Sequence, residues 1–276
     1  MISISFLGGL GNQMFQYALA RNLSYKLGVE LKFNNSFNLN RTDFNPSDIL
    51  FIYDIFNLAG SPISREDELN LLKINETSLE FNQHITSLKS NINLYGYWQS
   101  EKYFKENANL IKKDFTFKNS IESHNISIAS EINKTNSVSI HLRGRDYINK
   151  PATKKIHNTC GLKYYIDSVK YILMHVEDPY FYIFSDDLEW AYSFFKDIEF
   201  QHKFVEGNSW NKNSYEDMRL MSMCKYNIIA NSSFSWWSAW LNDNPNKIVI
   251  APHRWFAPLD MNKTTKDLVP EQWVKI

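Results

Sequence analysis

The sequence predicts an α/β protein with parallel sheets and helices on both sheet faces, and three observations predict it. From Val138 onward, strand-like and helix-like stretches alternate repeatedly. One of those strands, residues 180–184, is apolar throughout, as strands buried on both faces are. The chain also opens with a strand, a glycine turn, a helix and a second strand. Such alternation gives parallel sheets flanked by helices. Ligands in these sheets sit beyond the carboxyl ends of the strands.

Each element follows from its pattern. Ile2, Ile4 and Phe6 alternate as a strand, and Gly8-Gly9-Leu10-Gly11-Asn12 is a turn. Residues 13–27 carry Phe15, Ala18, Leu19, Leu23 and Leu27 at helical spacing, with Gly28 as C-cap. Val29, Leu31 and Phe33 form a second strand. Residues 34–93 are rich in Asn and Ser and predict loops and short helices. Residues 94–98 read as a strand, and a helix runs from Gln99 through Ile111. A polar stretch, 120–136, holds one short helix and marks a domain boundary. The predicted domains are 1–130 and 131–276, with the last residues able to pack back on the first. In the second domain strands fall at 138–142, 180–184, 202–205, 226–230 and 248–250. Helices fall at 162–176, 188–195, 215–224 and 234–241.

Composition narrows the function. Lys plus Arg and Asp plus Glu both number 30 in 276 residues, so the formal charge is zero. Polynucleotide binders carry a basic excess, so no nucleic-acid partner is expected. The small cluster Lys112, Lys113 and Lys118 reads as a solvated surface, with weak lipid-headgroup attraction as the alternative. Two cysteines, Cys160 and Cys224, make neither a disulfide framework nor a zinc site and predict reduced thiols in a cytoplasmic protein. The opening residues lack the basic region of a signal peptide, and no apolar run is long enough to span a bilayer.

Three polar clusters stand at the carboxyl edge of the second domain. His141-Leu142-Arg143-Gly144-Arg145-Asp146 follows a strand directly. Its guanidiniums offer forked donors that match phosphate. Arg145 reads either as a second phosphate ligand or as a salt-bridge partner of Asp146. After the next strand comes Ser185-Asp186-Asp187. Asp187 is placed as a helix N-cap, and Asp186 as an acceptor for a guanine edge. The alternative is a divalent metal on both carboxylates, against which no third ligand follows at suitable spacing. The third cluster, Asn231-Ser232-Ser233-Phe234-Ser235-Trp236-Trp237, opens a helix after a strand. A helix N-terminus suits a phosphate, and Ser232, Ser233 and Ser235 add hydroxyls. Simple capping by Ser232 or Ser233 is the alternative, with the tryptophans as core. In the first domain, Gly9, Gly11, Asn12 and Gln13 form a turn that a ligand can approach closely. It matches the dinucleotide fingerprint only in part, because Met14 replaces a small residue and no acidic residue closes the second strand.

At these clusters the chain resembles the α-1,2-fucosyltransferase family, especially its bacterial members. The opening Gly8-Gly9-Leu10-Gly11-Asn12-Gln13-Met14-Phe15-Gln16-Tyr17-Ala18 and the mid-domain Gly96-Tyr97-Trp98-Gln99-Ser100-Glu101-Lys102-Tyr103-Phe104 are similar to the family's motifs. So are Phe184-Ser185-Asp186-Asp187, the run from Asn231 to Trp237, and Ala251-Pro252 with Trp255-Phe256. One departure stands out. The family's basic motif usually runs His-x-Arg-Arg-Gly-Asp-Tyr, whereas here Gly144 and Arg145 have exchanged places.

The resemblance implies two Rossmann-like domains of the GT-B type facing a cleft, GDP-β-L-fucose as donor, a β-galactoside hydroxyl as acceptor, inversion at the fucose carbon and no metal or other cofactor. The acceptor is then an oligosaccharide or surface glycan, and the expected location is cytoplasmic, with peripheral contact at the inner membrane as the alternative. Arg143 inherits contact with the donor diphosphate, helped by the helix start at Ser232, Ser233, Phe234 and Ser235. Asp186 and the backbone near His141 then read guanine, while Asn12 and the glycine turn approach the pyrophosphate and fucose. Asp146 is either the general base or the residue that orients Arg143. The rivals are a metal-dependent glycosyltransferase using Asp186 and Asp187, and a non-catalytic nucleotide- or glycan-binding module.

Overall fold

The computed structural model describes residues 1–34, 51–145, 151–157, 159–196, 198–208 and 213–276. These fall into two compact units. One is Met1–Ser120 with Thr264–Pro270; the other is Ile121–Lys263 with Glu271–Ile276.

The first unit is a parallel sheet of β1 (Ile2–Ser5), β2 (Leu31–Asn34), β3 (Ser61–Pro62), β4 (Leu72–Asn75) and β5 (Ile92–Tyr95). Their order is β3-β2-β1-β5-β4. β1 is buried along its whole length, and Gly28 ends the first helix in the left-handed region at φ 63°, where its missing Cβ removes the steric penalty. That helix spans Leu10–Leu27, so it starts earlier than its apolar spacing predicts. The glycine turn supplies its N-cap, Gly9, and Gly11 and Asn12 belong to its first turn. β3 and β4 lie where loops and short helices are predicted. β4 is an edge strand with Leu72 66% exposed, so no buried face imposes an alternating pattern on it. The part of that prediction covering residues 35–50 lies outside the described residues.

β5 ends at Tyr95, short of the predicted strand end, because the backbone turns sharply. Trp98 takes φ 55°, a conformation that strains a bulky residue by about 1–3 kcal/mol. Glu76 holds it there: the Tyr97 and Trp98 amides donate to its carboxylate at 2.7 and 2.9 Å. Gly96 makes room, since a Cβ on it would sit 2.3 Å from the Glu76 Cβ. Beyond this turn the predicted helix from Gln99 is two 3-10 turns, Glu101–Tyr103 and Lys105–Asn107, before Ala108–Asp114 becomes helical. Phe104, at φ −142°, breaks the run.

The second unit is a parallel sheet of β6 (Asn136–Leu142), β7 (Pro179–Ser185), β8 (His202–Phe204), β9 (Tyr226–Ile228), β10 (Val249–Ala251) and β11 (Val274–Lys275). The order is β11-β10-β9-β6-β7-β8. The apolar run in β7 has a direct cause. Phe181 and Ile183 pack with Val138, Ile140 and the helix Leu162–His175 on one sheet face. Tyr182 and Phe184 pack with Ile128 and Met221 on the other. The helix Ser233–Leu241 buries Trp236, Trp237 and Trp240, with Trp273 against Trp236 at 5.3 Å. β11 is an addition at the sheet edge that two residues cannot announce in sequence.

Each sheet has one place where strand order reverses. In the first it lies between β1 and β5, in the second between β6 and β9. Open α/β sheets bind ligands outside such switch points.

Candidate functional site

At the switch point of the second unit, β6 delivers the basic cluster. His141 is buried, and burial together with Arg143 pushes its imidazole down to about 3, so it is neutral. Its carbonyl accepts from the Tyr165 hydroxyl at 3.1 Å, and its ring lies 5.8 Å from that of Phe234 across the switch point. Arg143 follows at the strand tip, with Nη1 2.7 Å from Asp186 Oδ2. The other Asp186 oxygen accepts from the Gly144 and Arg145 amides at 2.8 and 3.3 Å. Asp186 thus ties down the turn that carries Arg143. This structural duty stands beside the guanine-reading role expected of it.

Gly144 explains the exchanged motif. A Cβ there would lie 2.5 Å from Trp190 Cε3, so the indole rests directly on the glycine backbone. Arg145 is pushed outward and exposed. Asp146 lies outside the described residues. Asp187 caps the helix Leu188–Phe195, accepting from the Trp190 amide at 3.0 Å, as its position predicts.

After β9 the chain enters the helix Ser233–Leu241 through Ser232, whose backbone is extended and whose side chain makes no cap hydrogen bond. The simple capping role is therefore not what this hydroxyl does. Ser233, Phe234 and Ser235 form the first turn of this helix, where the helix dipole gives a positive potential. The Ser235 hydroxyl is buried and faces the Ser232 carbonyl at 3.4 Å, so it serves the helix start itself.

In the first unit, β1 and β5 bring the opening and mid-domain motifs together: Gln99 Nε2 donates to Asn12 Oδ1 at 2.8 Å. Gly8 needs its positive φ of 73°, and a Cβ on it would meet Asn12. Gln13 has a structural role in the same turn. It is fully buried, donates to the Gly8 carbonyl at 3.1 Å and accepts from the Ile52 amide at 3.1 Å, so it clamps the turn. Gly11 is buried as well. Gly9 is exposed, at φ −77°, and a Cβ on it would meet nothing within 4 Å. Among the described residues, nothing occupies the space that a side chain there would take. Gly9→Ala is therefore expected to keep the parent melting temperature and weaken donor binding about tenfold, roughly 1.4 kcal/mol, if a ligand approaches this backbone. Isothermal titration with GDP measures it.

Sequence reasoning missed Asp217, in the helix Tyr215–Met223. Burial, with Glu216 and Asp186 nearby, lifts its carboxyl from 3.8 to about 7, although Asn208 donates to it at 2.7 Å. The folded chain keeps a proton that the unfolded chain releases between about pH 4 and 7, so stability falls as pH rises through that window. Asp217→Asn should remove this slope. At pH 8 it is expected to be more stable than the parent by on the order of 1–2 kcal/mol, allowing for its partial exposure. The difference vanishes near pH 4 in thermal melts. Trp190, Glu76 and Gln99 were also missed as positioning residues, since nothing in a linear sequence shows which turn an indole or carboxylate will brace. Among the described residues, no three His, Cys, Asp or Glu side chains gather as a metal site, and no helix is long and apolar enough to cross a membrane.

Comparison with known proteins agrees with this architecture. The family described as glycosyl transferase family 11 matches residues 78–276. An alpha-1,2-colitosyltransferase of Escherichia coli is 37% identical, covering 98% of this chain and 96% of its own. The O-antigen biosynthesis glycosyltransferase WbnK, also of Escherichia coli, is 31% identical over 98% of each chain. Among solved structures, NodZ alpha-1,6-fucosyltransferase soaked with GDP-fucose superposes with a TM-score of 0.52 at 14% identity, covering 87% of this chain and 92% of that one. Arabidopsis thaliana FUT1 in complex with GDP gives 0.53 at 9% identity, covering 99% and 75%. These structures share the fold, a GT-B pair of parallel-sheet α/β domains. With its expected resemblance matched by family and by relatives along nearly its whole length, the chain belongs to glycosyl transferase family 11.

Proposed function

We propose that the protein transfers L-fucose from GDP-β-L-fucose to the 2-hydroxyl of a terminal β-galactoside, with inversion and without a metal. The observation that carries this reading is Arg143, fixed by Asp186 at the switch point of the second unit, next in the sheet to the strand that opens into the helix Ser233–Leu241. Leaving-group departure puts negative charge on the β-phosphate. A guanidinium and a helix N-terminus already in place stabilise that charge without reorganising. Asp186 acts on Arg143 as a positioning residue.

A second donor is favoured by one specific observation, the 37% identity to a protein named an alpha-1,2-colitosyltransferase. Colitose is L-fucose without its 3-hydroxyl. A site that hydrogen-bonds a substrate hydroxyl rejects the analogue lacking it by roughly 10⁴–10⁵, so the two donors separate cleanly. The test is acceptor-dependent GDP release with each donor and lactose, in excess EDTA, with product linkage read by NMR. The proposal expects turnover with GDP-fucose that survives EDTA and yields an α-1,2 linkage. Turnover with GDP-colitose alone would install the second donor. Loss of activity in EDTA, restored by a divalent metal, would overturn metal independence.

A further inference from the structure

The first unit holds a cavity of about 360 Å³ that none of the site residues above explains. Its size falls within the ~300–1,000 Å³ of small-molecule sites. It lies beyond the carboxyl ends of β4 and β5, lined by Asn75 and Thr77 from one strand end, by Gln83 from the turn that follows, and by Trp98. Ligands in such sheets bind at this edge.

Apart from Glu80 and His84, the polar side chains of the lining are uncharged amides and hydroxyls. The side chains of Asn75, Thr77 and Gln83 make no hydrogen bond to other described residues. Amides and hydroxyls both donate and accept, which suits a ligand that is itself a set of hydroxyls. The lone carboxylate of the wall, Glu80, is already paired with Lys266 at 3.2 Å. Behind this wall Trp98 and Tyr103 meet edge to face at 5.9 Å. The Tyr103 hydroxyl accepts from the Asn82 amide at 3.0 Å. The Trp98 indole N–H is sealed from solvent and has no partner among the described residues. Trp98 is also the residue held at φ 55° by Glu76. Backbone strain of this kind gathers at ligand clamps. Here it coincides with an unpaired buried donor and a cavity of neutral polar groups.

We propose that this cavity seats a neutral sugar ring of the acceptor glycan. Gln83 and Thr77 bond its hydroxyls, and Trp98 sets the wall behind it. The identity of the ligand as acceptor rests on the transferase reading; the affinity of the cavity for a neutral saccharide does not.

The two parts separate in experiment. Indole ¹H–¹⁵N signals are recorded while lactose or methyl β-D-galactopyranoside is added, with N-acetylneuraminic acid as the charged control. Trp98→Phe identifies its own signal by removing it. We expect that signal to move saturably with the neutral sugars and to stay still with the charged one. Gln83→Ala and Thr77→Ala, both on the cavity wall, weaken that response. In turnover they raise the acceptor KM about fivefold each, as loss of one hydrogen bond does, with the donor KM unmoved. If the signal stays still with every sugar and neither wall variant changes the acceptor KM, the cavity assignment fails while transfer stands. A signal that moves in a protein that transfers no sugar supports the cavity and overturns the transferase reading. Should Trp98→Phe fail to fold, the two wall variants decide the matter by acceptor KM alone.

Discussion

Arg143→Ala is expected to lower kcat/KM for sugar transfer by about 10²–10³, the usual loss when one preorganised stabiliser of developing charge is removed. The effect should fall on kcat, because the charge that Arg143 meets grows as the diphosphate departs. The variant also leaves Asp186 without its ion pair at 2.7 Å. Breaking a buried pair destabilises by ~3–5 kcal/mol. Asp186 keeps the Gly144 and Arg145 amides as donors, so the lower end is expected and the fold persists. Adding Asp186→Asn removes the stranded charge. The double variant should regain stability in thermal melts and stay inactive, which separates the catalytic loss from the structural one. Near-normal turnover in Arg143→Ala would defeat the assignment.

Gly144→Ala is expected to damage both stability and turnover. A Cβ at 144 would lie 2.5 and 2.7 Å from Trp190 ring atoms, and that indole is backed by Phe194 at 4.5 Å. Overpacking of this kind destabilises by ~1–3 kcal/mol. Because the amide of Gly144 is one of the donors that fix Asp186, a shift there propagates to Arg143. The commoner motif order can be rebuilt as Gly144→Arg with Arg145→Gly. Despite matching the family's usual pattern, that pair should be less stable and less active than the parent. Replacing Trp190 by Ala in the same background should recover part of the stability. A parent-like melting temperature and turnover in Gly144→Ala would show that the indole does not dictate the glycine.

The exchange at 144 and 145 marks the limit of what the sequence made legible. The order of residues shows that a glycine and an arginine have traded places, but the reason is an indole from the helix Leu188–Phe195. The parallel sheets were readable because β7 is apolar on both faces and the first helix lies between a glycine turn and the Gly28 cap. β4 was not, because its exposed edge asks for no pattern. The basic cluster and the serine-rich helix start were readable as phosphate chemistry from residue type alone. For Asp186 the sequence showed a carboxylate after a strand but not that the fold brings two amides and a guanidinium to it. Nor did it show that the Gln13 amide bonds to Gly8 and Ile52. Composition identifies donors and acceptors, and tertiary structure decides which of them are already taken.

A crystal structure with bound GDP tests the central claim most directly. The account predicts the β-phosphate within hydrogen-bonding distance of the Arg143 guanidinium, with phosphate oxygens at the N–H groups of Ser233, Phe234 and Ser235. Phosphates seated away from both, or bridged to Asp186 and Asp187 by a cation, would contradict it.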